Sequence, residues 1–151
     1  MIDDLYSARI LTLAANLPHS GRLETPEGTG DRVAKLCGSR AIVDVVLDAE
    51  DRVATFAQDV KACALGQAAA GVVGETVIGA SAEELRSTRD AMLAMLKSGG
   101  EGPSGRFEGL RALKQVADYP ARHASTMVAL EATLEAVGQA LAKRTTLAGA
   151  A

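Results

Sequence analysis

The side chains best suited to chemistry are two cysteines and a distant histidine. Cys37 lies in Leu36-Cys37-Gly38-Ser39-Arg40, Cys63 in Lys61-Ala62-Cys63-Ala64-Leu65-Gly66, and His123 in Pro120-Ala121-Arg122-His123-Ala124-Ser125. Thiolates and an imidazole on separate elements are the groups that a transient iron–sulfur site draws on. An open zinc site draws on the same groups, with three protein ligands plus water. A helix N-terminus lowers the pKa of a thiol, which favours both metal binding and attack on sulfur; that argument applies to Cys63. The same residues admit a plainer reading, because cysteine often serves as a small buried hydrophobe and His123 would sit at the exposed start of a helix. There is no close CxxC or HxxxH pair, the stronger signal for zinc, so spacing alone leaves both readings open.

These residues are carried by elements whose order can be read from periodicity. Residues 2–16 form a helix, with Leu5, Ile10, Leu11 and Leu13 mainly on one side, Asp3 and Asp4 at its N-terminus, and Pro18 and Gly21 beyond its end. Glu24 to Asp31, rich in turn residues, is expected as a loop. Strands follow at Arg32–Cys37, Ala41–Leu47 and Arg52–Val60, with Val43, Val45 and Leu47 on one face of the second and Asp44 and Asp48 on the other. Connections this short require antiparallel pairing. Cys37 then closes the first strand beside a Gly38-Ser39 hairpin, and Cys63 falls just past the third strand, where a helical pattern begins.

That helix carries Gly66, Gly71 and Gly74, which weaken it but permit close backbone packing. A second runs from about Ser81 to Lys97 behind a Ser81/Glu84 capping box. A Gly-rich loop at 98–105 leads to a short helix at Phe107–Val116. Residues 122–144 form the last helix on the repeat Met127, Leu130, Leu134, Val137 and Leu141. The expected architecture is α+β: a three-stranded antiparallel sheet packed on one face against about four to five helices. It is a single domain over 1–146, with 147–151 as a frayed tail.

The chain has 151 residues, enough for one core without disulfides or a structural metal. With 48% hydrophobic and 3% aromatic residues, the core is built from Ala, Leu, Val and Met. The net charge of −3 and the absence of a basic run argue against a nucleic-acid groove. No apolar stretch is long enough to cross a bilayer, and the acidic start lacks the layout of a signal peptide. The expected location is the cytoplasm, where two cysteines are thiols or ligands rather than a structural bridge.

Several segments, in order, resemble the NifU/IscU-type iron–sulfur cluster scaffold family. Leu5-Tyr6-Ser7 and Asn16-Leu17-Pro18 are similar to its opening helix and turn, and Gly28-Thr29-Gly30 to the approach to its first strand. Leu36-Cys37-Gly38-Ser39 is similar to its Cys-Gly-Asp hairpin, and Cys63 with its Ala-rich helix to its second cysteine segment. Arg122-His123-Ala124-Ser125 resembles the third segment, and the Gly-rich loop through Phe107-Glu108-Gly109-Leu110 to Pro120 resembles an insertion of the SufU-type branch. The resemblance implies a SufE/NifU-like fold with Cys37, Cys63 and His123 as retained ligands. Ser39 stands in place of the family's Asp and Ala124 in place of its third cysteine. It implies a transient cluster, [2Fe-2S] first, or zinc, and as partners a cysteine desulfurase, apo iron–sulfur acceptors and a second copy in a homodimer.

Four functions follow as expectations. The first is a cluster assembly scaffold, a carrier rather than an enzyme, with Cys37, Cys63 and His123 as ligands and Ser39, water, a small thiol or a second protomer as the fourth. The second is a zinc-bound sulfur-transfer accessory to the desulfurase, with Cys63 or Cys37 as sulfur acceptor. The third is a degenerate paralogue that only binds protein. The fourth is a Cys–His hydrolase, which would also need an oxyanion pocket that nothing in the sequence supplies.

Overall fold

Ser7 opens the first helix by accepting a hydrogen bond from the Ile10 N–H (3.3 Å), as an N-cap serine does. The computed structural model describes residues 6–150, so the expected first turn at 2–5, with Leu5, Asp3 and Asp4, lies outside the described residues. The helix, α1, spans Ala8–Ala15, so Tyr6 and Ser7, expected inside it, precede it; it buries Ile10 and Leu13 but leaves Leu11, expected on the same side, exposed. His19 and Gly21 then take positive φ, and the chain bonds to β3 through Gly21 N–H to Gln58 O (2.8 Å) and Gln58 N–H to His19 O (2.9 Å).

The sheet is a three-stranded antiparallel meander, β1 (Gly28–Ala34), β2 (Ser39–Leu47) and β3 (Val53–Lys61), in that spatial order. Val43, Val45 and Leu47 are buried on one face as expected. Asp44, on the opposite face, is buried too, because Arg22, Thr29 and the Leu23 N–H surround its carboxylate.

The first strand departs from expectation. It begins at Gly28 and ends at Ala34, so Gly28-Thr29-Gly30 are strand rather than loop, and Cys37 stands in the turn after the strand. The glycines are there for contact, not for turning: a Cβ on Gly28 or Gly30 would overlap the carbonyl oxygen of Ala136 or Ala132 in the last helix. The N–H groups of Thr29 and Asp31 on this edge strand are capped by Gln139 Oε1 (3.2 Å) and Glu135 Oε1 (2.8 Å) from that same helix, which closes the edge to further strand pairing.

Helix α2 (Ala64–Thr76) packs its glycines closely, Gly71 against the Leu13 carbonyl and Gly74 against Pro18 and Gln58. Helix α3 (Ala82–Ser98) starts at Ser81, whose hydroxyl accepts from Glu84 N–H (3.1 Å), and ends at Gly99 in the left-handed region. The expected short helix at 107–116 is instead a run of 3₁₀ turns over Gly105–Asp118. Its buried residues, Phe107, Leu110, Leu113 and Val116, recur every third position, which matches three residues per turn rather than 3.6.

After a further 3₁₀ turn at Pro120–Arg122, helix α4 spans His123–Ala150 and lies along β1 and β2. It therefore passes the expected end at 144. Residues 147–150, expected as a frayed tail, are helical backbone, and Ala151 lies outside the described residues. No described helix is long and apolar enough to cross a membrane.

Candidate functional site

The turn between β1 and β2 is set by pairing Ala34 with Ser39. Gly38, at φ 72, lets the chain reverse there and donates its N–H to Ala34 O (2.8 Å). That turn presents Cys37 at the surface and places Ser39 at the buried first position of β2. Opposite, the chain leaves β3 and enters α2 through Cys63, the half-buried N-cap of that helix. A shallow cleft of about 330 Å³, lined by Cys37, Gly38, Ser39, Lys61, Ala62 and Cys63, lies between them.

The two thiols are joined by two buried hydroxyls. Cys37 Sγ donates to Ser39 Oγ (3.2 Å), Ser39 Oγ meets Ser125 Oγ (2.8 Å), and Ser125 Oγ meets Cys63 Sγ (3.1 Å). Both thiols are held below the ordinary cysteine pKa, for different reasons. For Cys37 the Ser39 hydroxyl is the main cause, opposed by partial burial. For Cys63 burial pushes the thiol up most strongly, but the Ser125 hydroxyl, the Gly66 and Leu65 N–H groups and Arg122 together outweigh it. Those N–H groups face the sulfur without closing a capping hydrogen bond. The arrangement offers two thiolates as nucleophiles or soft ligands.

His123 stands elsewhere. It is buried at the start of α4, and its Nε2 donates to the carbonyls of Val116 (2.9 Å) and Ala117 (3.3 Å). Two acceptors around Nε2 assign the proton to that nitrogen. Together with Ala124, Val33, Leu93 and Met127 it lines a separate cavity of about 240 Å³. The structure therefore brings Cys37, Cys63 and Ser39 together and leaves His123 apart. Among the described residues, no three His, Cys, Asp or Glu side chains lie close enough together to hold a metal ion. The α4 residue that reaches between the cysteines is Ser125, next to Ala124. Sequence reasoning passed over Ser125, because a serine 62 residues from Cys63 and 86 from Ser39 carries no local signature.

Comparison with known proteins gives this site its context. A search of curated proteins found no match. Among solved structures, the N-terminal part of a nitrogen-fixing NifU-like protein from Brucella abortus is 44% identical; the match covers 94% of this chain and 98% of that one, with a TM-score of 0.90. A protein from Fervidobacterium islandicum AW-1, provisionally assigned as an iron–sulfur cluster assembly scaffold for the SUF system, shares the fold at 19% identity; that match covers 89% of this chain and 98% of that one, with a TM-score of 0.80. The model of the NifU-like N-terminal domain matches residues 5–126. That span runs from the opening helix through both cysteines to the serine that joins them, and it establishes that the chain belongs to the NifU-like N-terminal domain family.

Proposed function

We propose that this protein acts in iron–sulfur cluster assembly as a scaffold-type carrier whose working groups are Cys37 and Cys63. The observation that carries this reading is the convergence of two pKa-lowered thiols on one open cleft. It is supported by family membership and by the scaffold assignment of the Fervidobacterium protein. Two thiols are half of the four ligands that an iron–sulfur cluster or a closed zinc site takes. The remaining ligands then come from outside the chain: a small thiol, a second copy, or the partner that gives or takes the cargo. An exposed Cys37 is reachable by the persulfide of a cysteine desulfurase, and apo iron–sulfur proteins are the acceptors. His123 joins the ligand set in this reading only through Nδ1, the nitrogen its two carbonyl partners leave free, and only if the first turn of α4 moves toward the cleft. Zinc-dependent sulfur transfer is the less well supported alternative, because an open zinc site asks for three protein ligands.

The test is anaerobic loading with iron, a cysteine desulfurase and cysteine. Iron and acid-labile sulfide should bind in near-equal amounts, and Cys37→Ser and Cys63→Ser should each abolish retention. His123→Ala separates the versions of the site: retention unchanged in that variant removes the imidazole from the ligand set. Zinc held against iron competition would favour the sulfur-transfer accessory. Neither metal nor sulfur bound would leave a protein-binding module.

A further inference from the structure

Helix α4 contains several hydroxyl residues, and they behave in two ways. Thr133, Thr145 and Thr146 each bond the carbonyl four residues back in their own helix, at 2.7–3.1 Å, and Thr126 bonds the Arg122 carbonyl in the turn just before it (2.8 Å), the usual resting place for a helical hydroxyl. Ser125 does not. Its hydroxyl, fully buried, leaves the helix and bonds Ser39 Oγ on β2 and Cys63 Sγ at the head of α2. A second feature is built around it. Position 66 is glycine, and a Cβ there would come within 2.9 Å of both Ser125 Oγ and Ser125 O. The first turn of α2, with Cys63 on it, closes on the serine because that Cβ is missing.

We propose that Ser125 is a positioning residue of the thiol site. Its hydroxyl holds Cys63 Sγ against Ser39, and through Ser39 it keeps both thiols facing one cleft. Three elements distant in sequence (the head of β2, the head of α2 and the head of α4) meet at this oxygen, so losing it frees the Cys63 rotamer without removing any thiol. The inference rests on the reading of Cys37 and Cys63 as the working pair, but it concerns their geometry, not their cargo.

The experiment uses reduced, metal-free protein and dibromobimane, which fluoresces strongly when it joins two neighbouring thiols. Wild-type protein is expected to give mostly the bridged Cys37–Cys63 adduct. In Ser125→Ala the bridged fraction should fall about fivefold, the scale of one lost hydrogen bond, while each cysteine is still alkylated singly. Thr133→Ala, which removes a buried hydroxyl that serves only its own helix, should leave the bridged fraction unchanged even if it lowers the melting temperature. An equal bridged fraction in folded Ser125→Ala and wild-type protein overturns the proposal. If Ser125→Ala does not fold, Ser125→Cys and Ala124→Cys decide by mild oxidation: a disulfide to Cys63 from position 125 alone supports the placement, and one from position 124 alone overturns it. No iron or sulfide enters either assay, so failure of cluster loading and failure of this inference are read separately.

Discussion

Asp44 shows how much a single side chain can organise. Burial pushes its carboxyl up, but Arg22 Nε (2.6 Å), the Thr29 hydroxyl (2.6 Å) and the Leu23 N–H (3.0 Å) more than compensate and hold it below the usual carboxylate range. Asp44→Ala would strand these donors and leave a hole at a fully buried position. We expect a loss of about 2–3 kcal/mol, discounted from the value for a fully buried pair because Arg22 itself is half exposed; urea denaturation checks it, and a loss under 1 kcal/mol would show that Arg22 contributes nothing through this carboxylate. The sequence placed Asp44 correctly on the face opposite Val43 and Val45, but alternation could not say that this face is covered, because the covering groups are Arg22 and the Leu23 N–H, which precede the segment read as loop, and Thr29 within it. The same limit applied at the thiol site. Cys37, Cys63 and Ser39 were legible because their residue types are rare or stand at a recognisable hairpin. Ser125 was hidden because a hydroxyl acquires meaning only from what it touches.

At the scale of elements, the contact between β1 and α4 decides the sheet's position. Gly28 and Gly30 face Ala132, Ala136 and Ala140 of the helix, so the two backbones approach without side chains between them. Glycine and alanine are weak signals in a period-based reading, and Gly-Thr-Gly resembles a turn far more than a strand; this is why β1 was expected four residues too late. The 3₁₀ segment was missed for a different reason: the threefold spacing of Phe107, Leu110, Leu113 and Val116 was there to read, but i, i+3 pairs also occur on α-helices and 3₁₀ runs this long are uncommon. Close approach makes a sharp prediction. Gly30→Ala would drive its methyl into the Ala132 carbonyl and should cost roughly 2–3 kcal/mol or more, as overpacking against backbone does. Gly138→Ala, in the same helix at a position with open space around it, should stabilise by about 0.5–1 kcal/mol from helix propensity. Thermal melts of both variants test the contrast, and equal effects would refute it.

Across the whole molecule, one arginine ties the far end of α4 to the rest of the fold. Arg144 Nε and Nη2 bond both oxygens of Glu27 (2.8 and 2.9 Å), and its other donors reach Leu47 O (2.7 Å), Asp48 O (2.6 Å) and Asp51 Oδ1 (2.8 Å). Glu27 precedes β1, and Leu47 to Asp51 form the end of β2 and its turn, so this side chain joins the sheet and the helix that covers it at the end of α4 opposite Ser125. It lies beyond residue 126, where the family match stops. The Glu27 carboxyl is held below its ordinary value first by the Arg144 hydrogen bond, against partial burial. A depressed folded pKa stabilises the protein fully above the ordinary carboxylate range, and that contribution is lost as pH falls through the folded value. Arg144→Ala should therefore lower the melting temperature at pH 7, and wild-type and variant melting curves should converge as the buffer is taken below the Glu27 value. Arg144→Lys should recover only part of the loss, because one ammonium cannot replace a planar fork serving five oxygens. Hydrogen exchange should speed up at residues 47–52 in the alanine variant, since the carbonyls and turn that Arg144 holds would be released. A difference between wild type and Arg144→Ala that stayed constant from neutral to acid pH would mean that packing of the side chain, not its charge on Glu27, holds this end of the molecule together.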